Sequence, residues 1–172
     1  MPSPFALALA VFGLVVAVVL FRAFLRRGKN LLEAVAPLPG ETVLAERDIR
    51  LSSMPRRRAL YTTLVFQAAR ARVTSARLLV AQPGLFAPTK LVLRYVIHLR
   101  AAQGTDPTDW QDGFATFVLD AERSGVRQVD GVTELRLVAR NDPQFVPSYV
   151  ALRGEAVEEL ARLAGLGPLA AS

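Results

Sequence analysis

The chain has 172 residues, no cysteine and one histidine, which excludes a disulfide framework and any zinc site assembled from Cys and His. Its net charge is +6, with 21 basic residues against 15 acidic, but four of the basic ones fall between Arg22 and Lys29 and no acid precedes Glu33. The remainder carries 17 against 15, or +2, so the positive surplus is local and suits anionic lipid headgroups rather than nucleic acid.

The first element sets the cellular context. From Pro4 to Phe21 no side chain is charged, Arg22 interrupts, and Ala23-Phe24-Leu25 continue the run before Arg26, Arg27 and Lys29. A helix rises about 1.5 Å per residue, so roughly 20 apolar residues cross a ~30 Å hydrocarbon core. Residues 4–25 suffice once Arg22 reaches back to the headgroups. A secretory signal would begin with a basic flank, carry a shorter apolar core and end in small residues. Here the flank is absent, the core is longer and a basic cluster stands at the end. The pattern predicts an uncleaved anchor over 1–29, holding the membrane through residues 4–25. With Arg22, Arg26, Arg27 and Lys29 all on its C-terminal side, the anchor places the N-terminus outside and the rest in the cytoplasm, at the cell (inner) membrane. Ala6, Ala8, Ala10, Gly13 and Ala17 are small enough to let the helix pack against another.

Residues 30–40 read as a linker ended by Pro37, Pro39 and Gly40. Residues 41–167 then form one domain, α+β but mainly β. Glu41–Ser52 alternates, with Val43, Ala45, Ile49 and Leu51 on one face. A strand over Leu60–Ala68 follows, with Leu60, Leu64 and Phe66 in register. Arg70–Gln82 breaks into two short strands at Ser75-Ala76. In Leu91–Arg100, residues Leu91, Leu93, Tyr95, Ile97 and Leu99 share one face, and Arg94, Val96, His98 and Arg100 the other. Phe114–Glu122 aligns Ala115, Phe117, Leu119 and Ala121. After a tight turn at Asp130-Gly131, Val132–Arg140 points Leu135, Leu137 and Ala139 inward and Glu134, Arg136 and Arg140 outward. The period then changes. Over Gly154–Gly165, Val157, Leu160, Ala161 and Ala164 recur at helical spacing, acids lie early, Arg162 lies late, and Gly165 supplies a C-cap. Six or seven antiparallel strands therefore curl into a sheet or barrel closed by one amphipathic C-terminal helix.

That order, and two short motifs, resemble bacterial pleckstrin-homology-like (PH-like) and GRAM-like domains. Pro39-Gly40-Glu41-Thr42-Val43-Leu44 is similar to the turn that enters their first strand. Val73-Thr74-Ser75-Ala76-Arg77-Leu78-Leu79-Val80 is similar to their strand–turn–strand, with Ser75 where Asn is usual. The tryptophan common in the closing helix of eukaryotic members is absent. The resemblance spans roughly residues 38–165 and implies a binding domain.

Arg56, Arg57 and Arg58 lie between the first two strands, a loop that in PH-like domains often meets acidic headgroups; Met54 would dip into the headgroup layer. Asp106, Asp109 and Asp112 lack the spacing of a calcium loop and read, with Trp110, as a long loop packed on the sheet. His98 has no catalytic partner, no nucleophile motif or phosphate-cradling glycine loop is present, and no cofactor or metal is expected. Asp142–Tyr149, with two prolines, reads as a connector. The expected function is a non-catalytic domain held at the membrane, binding anionic lipid headgroups or a membrane-proximal protein through a strand edge. The alternatives are an enzyme using Asp and Glu, or a structural subunit that packs its helix in a larger membrane complex.

Overall fold

A computed structural model describes residues 11–18, 31–54, 65–84, 87–100, 109–111, 114–140 and 147–169. Residues 11–18 are helical with exposed side chains. Among the described residues no helix is long and apolar enough to cross a membrane. The rest of the apolar run at 4–25, together with Arg22, Arg26, Arg27 and Lys29, lies outside them.

The body is mainly β, with nine strands among the described residues in place of the six or seven expected. They are β1 (Val43–Met54), β2 (Gln67–Thr74), β3 (Arg77–Gly84), β4 (Ala87–His98), β5 (Asp109–Gln111), β6 (Phe114–Val118), β7 (Gly125–Val129), β8 (Val132–Leu137) and β9 (Tyr149–Arg153). They form one sheet in the order β5-β6-β4-β3-β2-β1-β9-β8-β7. Every pairing is antiparallel except β4 with β6. The sheet curls until distant strands meet. Leu119, just past β6, bridges Ala139, just past β8, and Arg140 N–H donates to Val118 O at 2.9 Å.

The extra strands have local causes. β7 and β8 make a hairpin whose turn, Asp130-Gly131, takes φ of 52° and 75°, the left-handed pair that such turns demand. Of the connector expected over Asp142–Tyr149, residues 142–146 lie outside the described residues; Tyr149 opens β9, which pairs with both β1 and β8. Trp110, expected in a loop, sits in β5 opposite Ala115. Of the strand expected at Leu60–Ala68, residues 60–64 lie outside the described residues, and Gln67 and Ala68 are the start of β2. β2 starts at Gln67 and turns Ala69, Ala71 and Val73 inward, small side chains that give a weak periodic signal.

The inner face of the sheet holds the main core, including Ile49, Val73, Leu78, Val80, Ile97, Phe117, Leu135, Leu137, Val150 and Leu152. The closing helix, Val157–Leu163, buries Val157, Leu160 and Ala161 against it. It ends in a Schellman motif: Gly165 (φ 73°) donates to Arg162 O at 3.1 Å, and Leu166 to Ala161 O at 2.9 Å.

A second, smaller core lies on the opposite face. Leu79, Ala81, Leu93 and Val96 are covered there by Leu32, which is fully buried. The described part of the expected 30–40 linker, residues 31–40, is therefore, with Glu41, a strap on the sheet. Leu31 bridges Val92, and Arg72 and Arg77 donate to the carbonyls of Leu32 and Ala36 at 3.2 and 3.0 Å. The strap is locked by Glu41. Its carboxylate pairs with the Arg77 guanidinium and accepts from the Thr74 hydroxyl at 2.6 Å. Thr74 Oγ1 in turn accepts the Arg77 N–H at 2.8 Å, closing the β2–β3 turn. The hydrogen bonds from Arg77 foremost hold the Glu41 pKa at about 2 against its burial.

The second core also exposes an error of phase. Val80 pairs with Tyr95 but Ala81 pairs with Leu93, so Arg94 is a β-bulge. The extra residue moves Leu93 to the outer core with Val96, while Tyr95, Ile97 and Leu99 stay with the inner one. The single apolar face expected from Leu91 to Leu99 does not exist.

Candidate functional site

The inner face is not apolar along its whole length. Where β1 ends and β2 begins, its residues turn polar: Ser53 continues the side of Ile49 and Leu51, Gln67 that of Ala69 and Ala71, and Gln82 that of Leu78 and Val80. These side chains, with Leu51, Ser52, Val65, Arg94 and Tyr95, line a cavity of about 370 Å³. This polar rim opens to water at the mouth of the curled sheet, where Gln67 and Arg94 are exposed.

The bulge brings Arg94 into this cavity beside Tyr95. A relay of amides aims it: Gln82 Nε2 donates to Gln67 Oε1 at 3.1 Å, and Gln82 Oε1 accepts from Arg94 Nε at 3.0 Å. Among the described residues no carboxylate lines the cavity, so none of them neutralises the guanidinium charge there. Burial pushes the Tyr95 hydroxyl up, while Ser53 and Arg94 act in the opposite direction. The arrangement offers hydroxyl and amide groups and one oriented guanidinium, a donor set suited to an oxyanion.

Met54, the last residue of β1, is half-buried, pairs in register with Tyr149, and its carbonyl accepts the Ser148 N–H at 2.9 Å. Arg56, Arg57 and Arg58 follow it in the chain and lie outside the described residues, as do Asp106 and Asp112. His98 does not share a side with Arg94, because the bulge intervenes; burial first, then the Arg77 charge, lowers its pKa. Among the described residues, no three His, Asp or Glu gather where they would hold a metal ion.

The cavity residues were legible only as separate polar positions. Arg94 stood on the wet face of an alternating strand, and nothing in the alternation marks a bulge. A weak signal existed in Gln67 and Gln82, polar residues in phase with apolar inward sets.

One edge of the sheet is already covered. Past the helix, Gly167 O accepts the Val126 N–H at 3.0 Å and Leu169 N–H donates to Val126 O at 2.7 Å, so the tail adds a short parallel strand to β7. Compared with known proteins, the chain matches no family model, no curated protein and no solved structure.

Proposed function

We propose that this chain is a single-pass, membrane-anchored protein presenting a non-catalytic PH-like, GRAM-like domain at the cytoplasmic surface of the cell membrane, where the cavity around Arg94 takes anionic lipid headgroups. The observation that carries the reading is the Arg94 guanidinium, held by Gln82 at the polar mouth of the curled sheet with no carboxylate in the cavity among the described residues. The fold reading is supported by strand order. With β5 and β6 set aside as an addition beyond β4, seven strands remain in the order β4-β3-β2-β1-β9-β8-β7, followed by one helix. It is also supported by the two motifs that carry the resemblance, because Glu41 of the first and Thr74 and Arg77 of the second form one bonded unit.

Anchoring rests on the uncharged run within 4–25 and the basic flank after it. The strap begins at Leu31, so only a few residues separate the anchor from the sheet, and weak contacts with the bilayer gain from the high local concentration. Arg56, Arg57 and Arg58 leave β1 beside the cavity residue Ser53 in sequence and would add charge near the headgroups, each worth about 1 kcal/mol close to an anionic surface.

The test is flotation of residues 30–172, which keep the strap, on neutral and anionic liposomes. Binding to anionic vesicles alone, lost in high salt and reduced by Arg94→Gln, is the expected result; binding to neither composition overturns the headgroup reading. Protease added to spheroplasts is expected to spare the body, and digestion there would reverse the orientation.

A second reading, docking of a partner segment by strand addition, is supported by the edge of β7, which already accepts an extended segment from the chain's own tail. A partner there would displace Gly167–Leu169 and would survive high salt.

A further inference from the structure

A second group of arginines lies on the outer face of β7, β8 and β9 and shares no residue with the cavity. Its centre is Glu134, which points away from the core yet is fully buried. Arg127 covers it from β7, donating to Oε1 from Nε at 3.0 Å and from its terminal nitrogen at 2.6 Å. Arg153 covers it from β9, reaching Oε2 at 3.0 and 2.9 Å. A third guanidinium, Arg136, lies 4.3 Å from the centroid of the Tyr149 ring, which Arg127 also approaches at 5.7 Å.

Three cations thus converge on one carboxylate, and among the described residues Arg136 is the one without an acid. Its Nε is buried with no hydrogen-bond partner. Burial first, then the charges of Arg127 and Arg123, disfavours its cationic form. A guanidinium does not respond by losing its proton, so the strain stays as unmet charge and an unmet donor. The nearby Arg123 is within reach of Asp120, at 3.9 Å, and does not relieve it.

We propose that Arg136, together with Arg127 and Arg153, binds a phosphate-group dianion on this face. The ligand class follows from charge and geometry. The cluster carries a surplus of two positive charges over Glu134, which a phosphate monoester or inorganic phosphate neutralises and a single carboxylate does not. With Nε buried, the two terminal nitrogens of the Arg136 guanidinium over the Tyr149 ring are the pair that can make two parallel N–H···O bonds, the geometry that phosphate oxygens accept. Either a lipid phosphomonoester or a free phosphate supplies that chemistry.

The test uses the full chain in nanodiscs of neutral phosphatidylcholine, followed through its arginine Nε–Hε resonances, with the Arg136 signal assigned by its loss in Arg136→Lys. Titration with inorganic phosphate at constant ionic strength is expected to give a saturable shift of that signal. A titration followed at the backbone amides of β7, β8 and β9 is expected to weaken at least tenfold in Arg136→Gln, and less in Arg136→Lys, which keeps the charge without the fork. Arg94→Gln, which alters the cavity, is expected to leave the saturable shift of the Arg136 signal in place, and loss of that shift in Arg94→Gln would assign it to the cavity and overturn the proposal. Nanodiscs containing phosphatidic acid and no free phosphate are the second arm: the same shift there assigns the lipid as source, and a shift with free phosphate alone assigns a soluble one. The proposal is overturned if neither arm gives a saturable response in folded protein, or if Arg136→Gln responds like the unaltered chain.

Discussion

Glu41 and Glu134 are both carboxylates removed from water, with side chains 2% and 0% exposed, and their surroundings differ in one respect. Around Glu41 the charges cancel: Arg77 pairs with it, the Thr74 hydroxyl and the Leu38 N–H fill its remaining lone pairs, and the unit locks the strap to the β2–β3 turn. Around Glu134 they do not: Arg127 and Arg153 saturate both oxygens and Arg136 is left over. A buried ion pair with matched charge is a fastener, and its desolvation is offset by bonds within the unit. A buried cluster with surplus charge is a fastener with a vacant valence.

Breaking the comparison begins with the centres themselves. Glu134→Gln leaves three arginines facing one another and is expected to cost the most, about 3–5 kcal/mol by urea unfolding of residues 30–172. Glu41→Gln is expected to cost about 3 kcal/mol and to change the acid response. The folded pKa near 2 lies below the ordinary 4.5, so the stability contributed by Glu41 is complete above about pH 4.5 and is lost as pH falls toward 2. The Gln variant should lack that part of the acid dependence; an unaltered acid profile would show that the strap is not held by this pair.

Smaller effects sharpen the picture at the periphery. In Gly125→Ala the new Cβ would lie 2.5 Å from the backbone oxygen Gly167 O, so the tail or β7 must shift. The expected cost is about 1–2 kcal/mol, with faster hydrogen exchange at the Val126 amide; continued protection of that amide would show the tail contact to be dispensable. Arg94→Gln should change stability by no more than about 0.5 kcal/mol, because the side chain is exposed and unpaired with any acid in the cavity, while headgroup binding falls. A large loss of stability instead would make the Gln67–Gln82–Arg94 relay a structural element.

Much of the fold could be read without coordinates. Leu135, Leu137 and Ala139 face inward as their alternation requires, and Val157, Leu160 and Ala161 are buried as helical spacing requires. Ser75-Ala76 is the break between two strands, because Thr74 caps that turn with its own hydroxyl. β9 was not legible: Tyr149–Arg153 is five residues long and follows Pro147, so nothing local separates a strand from a connector. The candidate site was less legible still. Glu134 and Arg136 read correctly as outward, but outward did not mean wet, since arginines from β7 and β9 cover the carboxylate.

The sequence by itself determined the uncharged run near the N-terminus with its basic flank, the mainly β character of the body, the turn at Asp130-Gly131 and the position of the closing helix. These are properties of neighbouring residues, set by apolar period, by glycine's access to positive φ and by local charge. Only the tertiary structure decided that residues 31–41 lie on the sheet, that Arg94 is a bulge turned into a cavity, and that Arg127, Arg136 and Arg153 converge around Glu134. Each of these depends on which strand lies beside which, and residues far apart in the chain carry no local sign of the partner that the curl of the sheet brings to them.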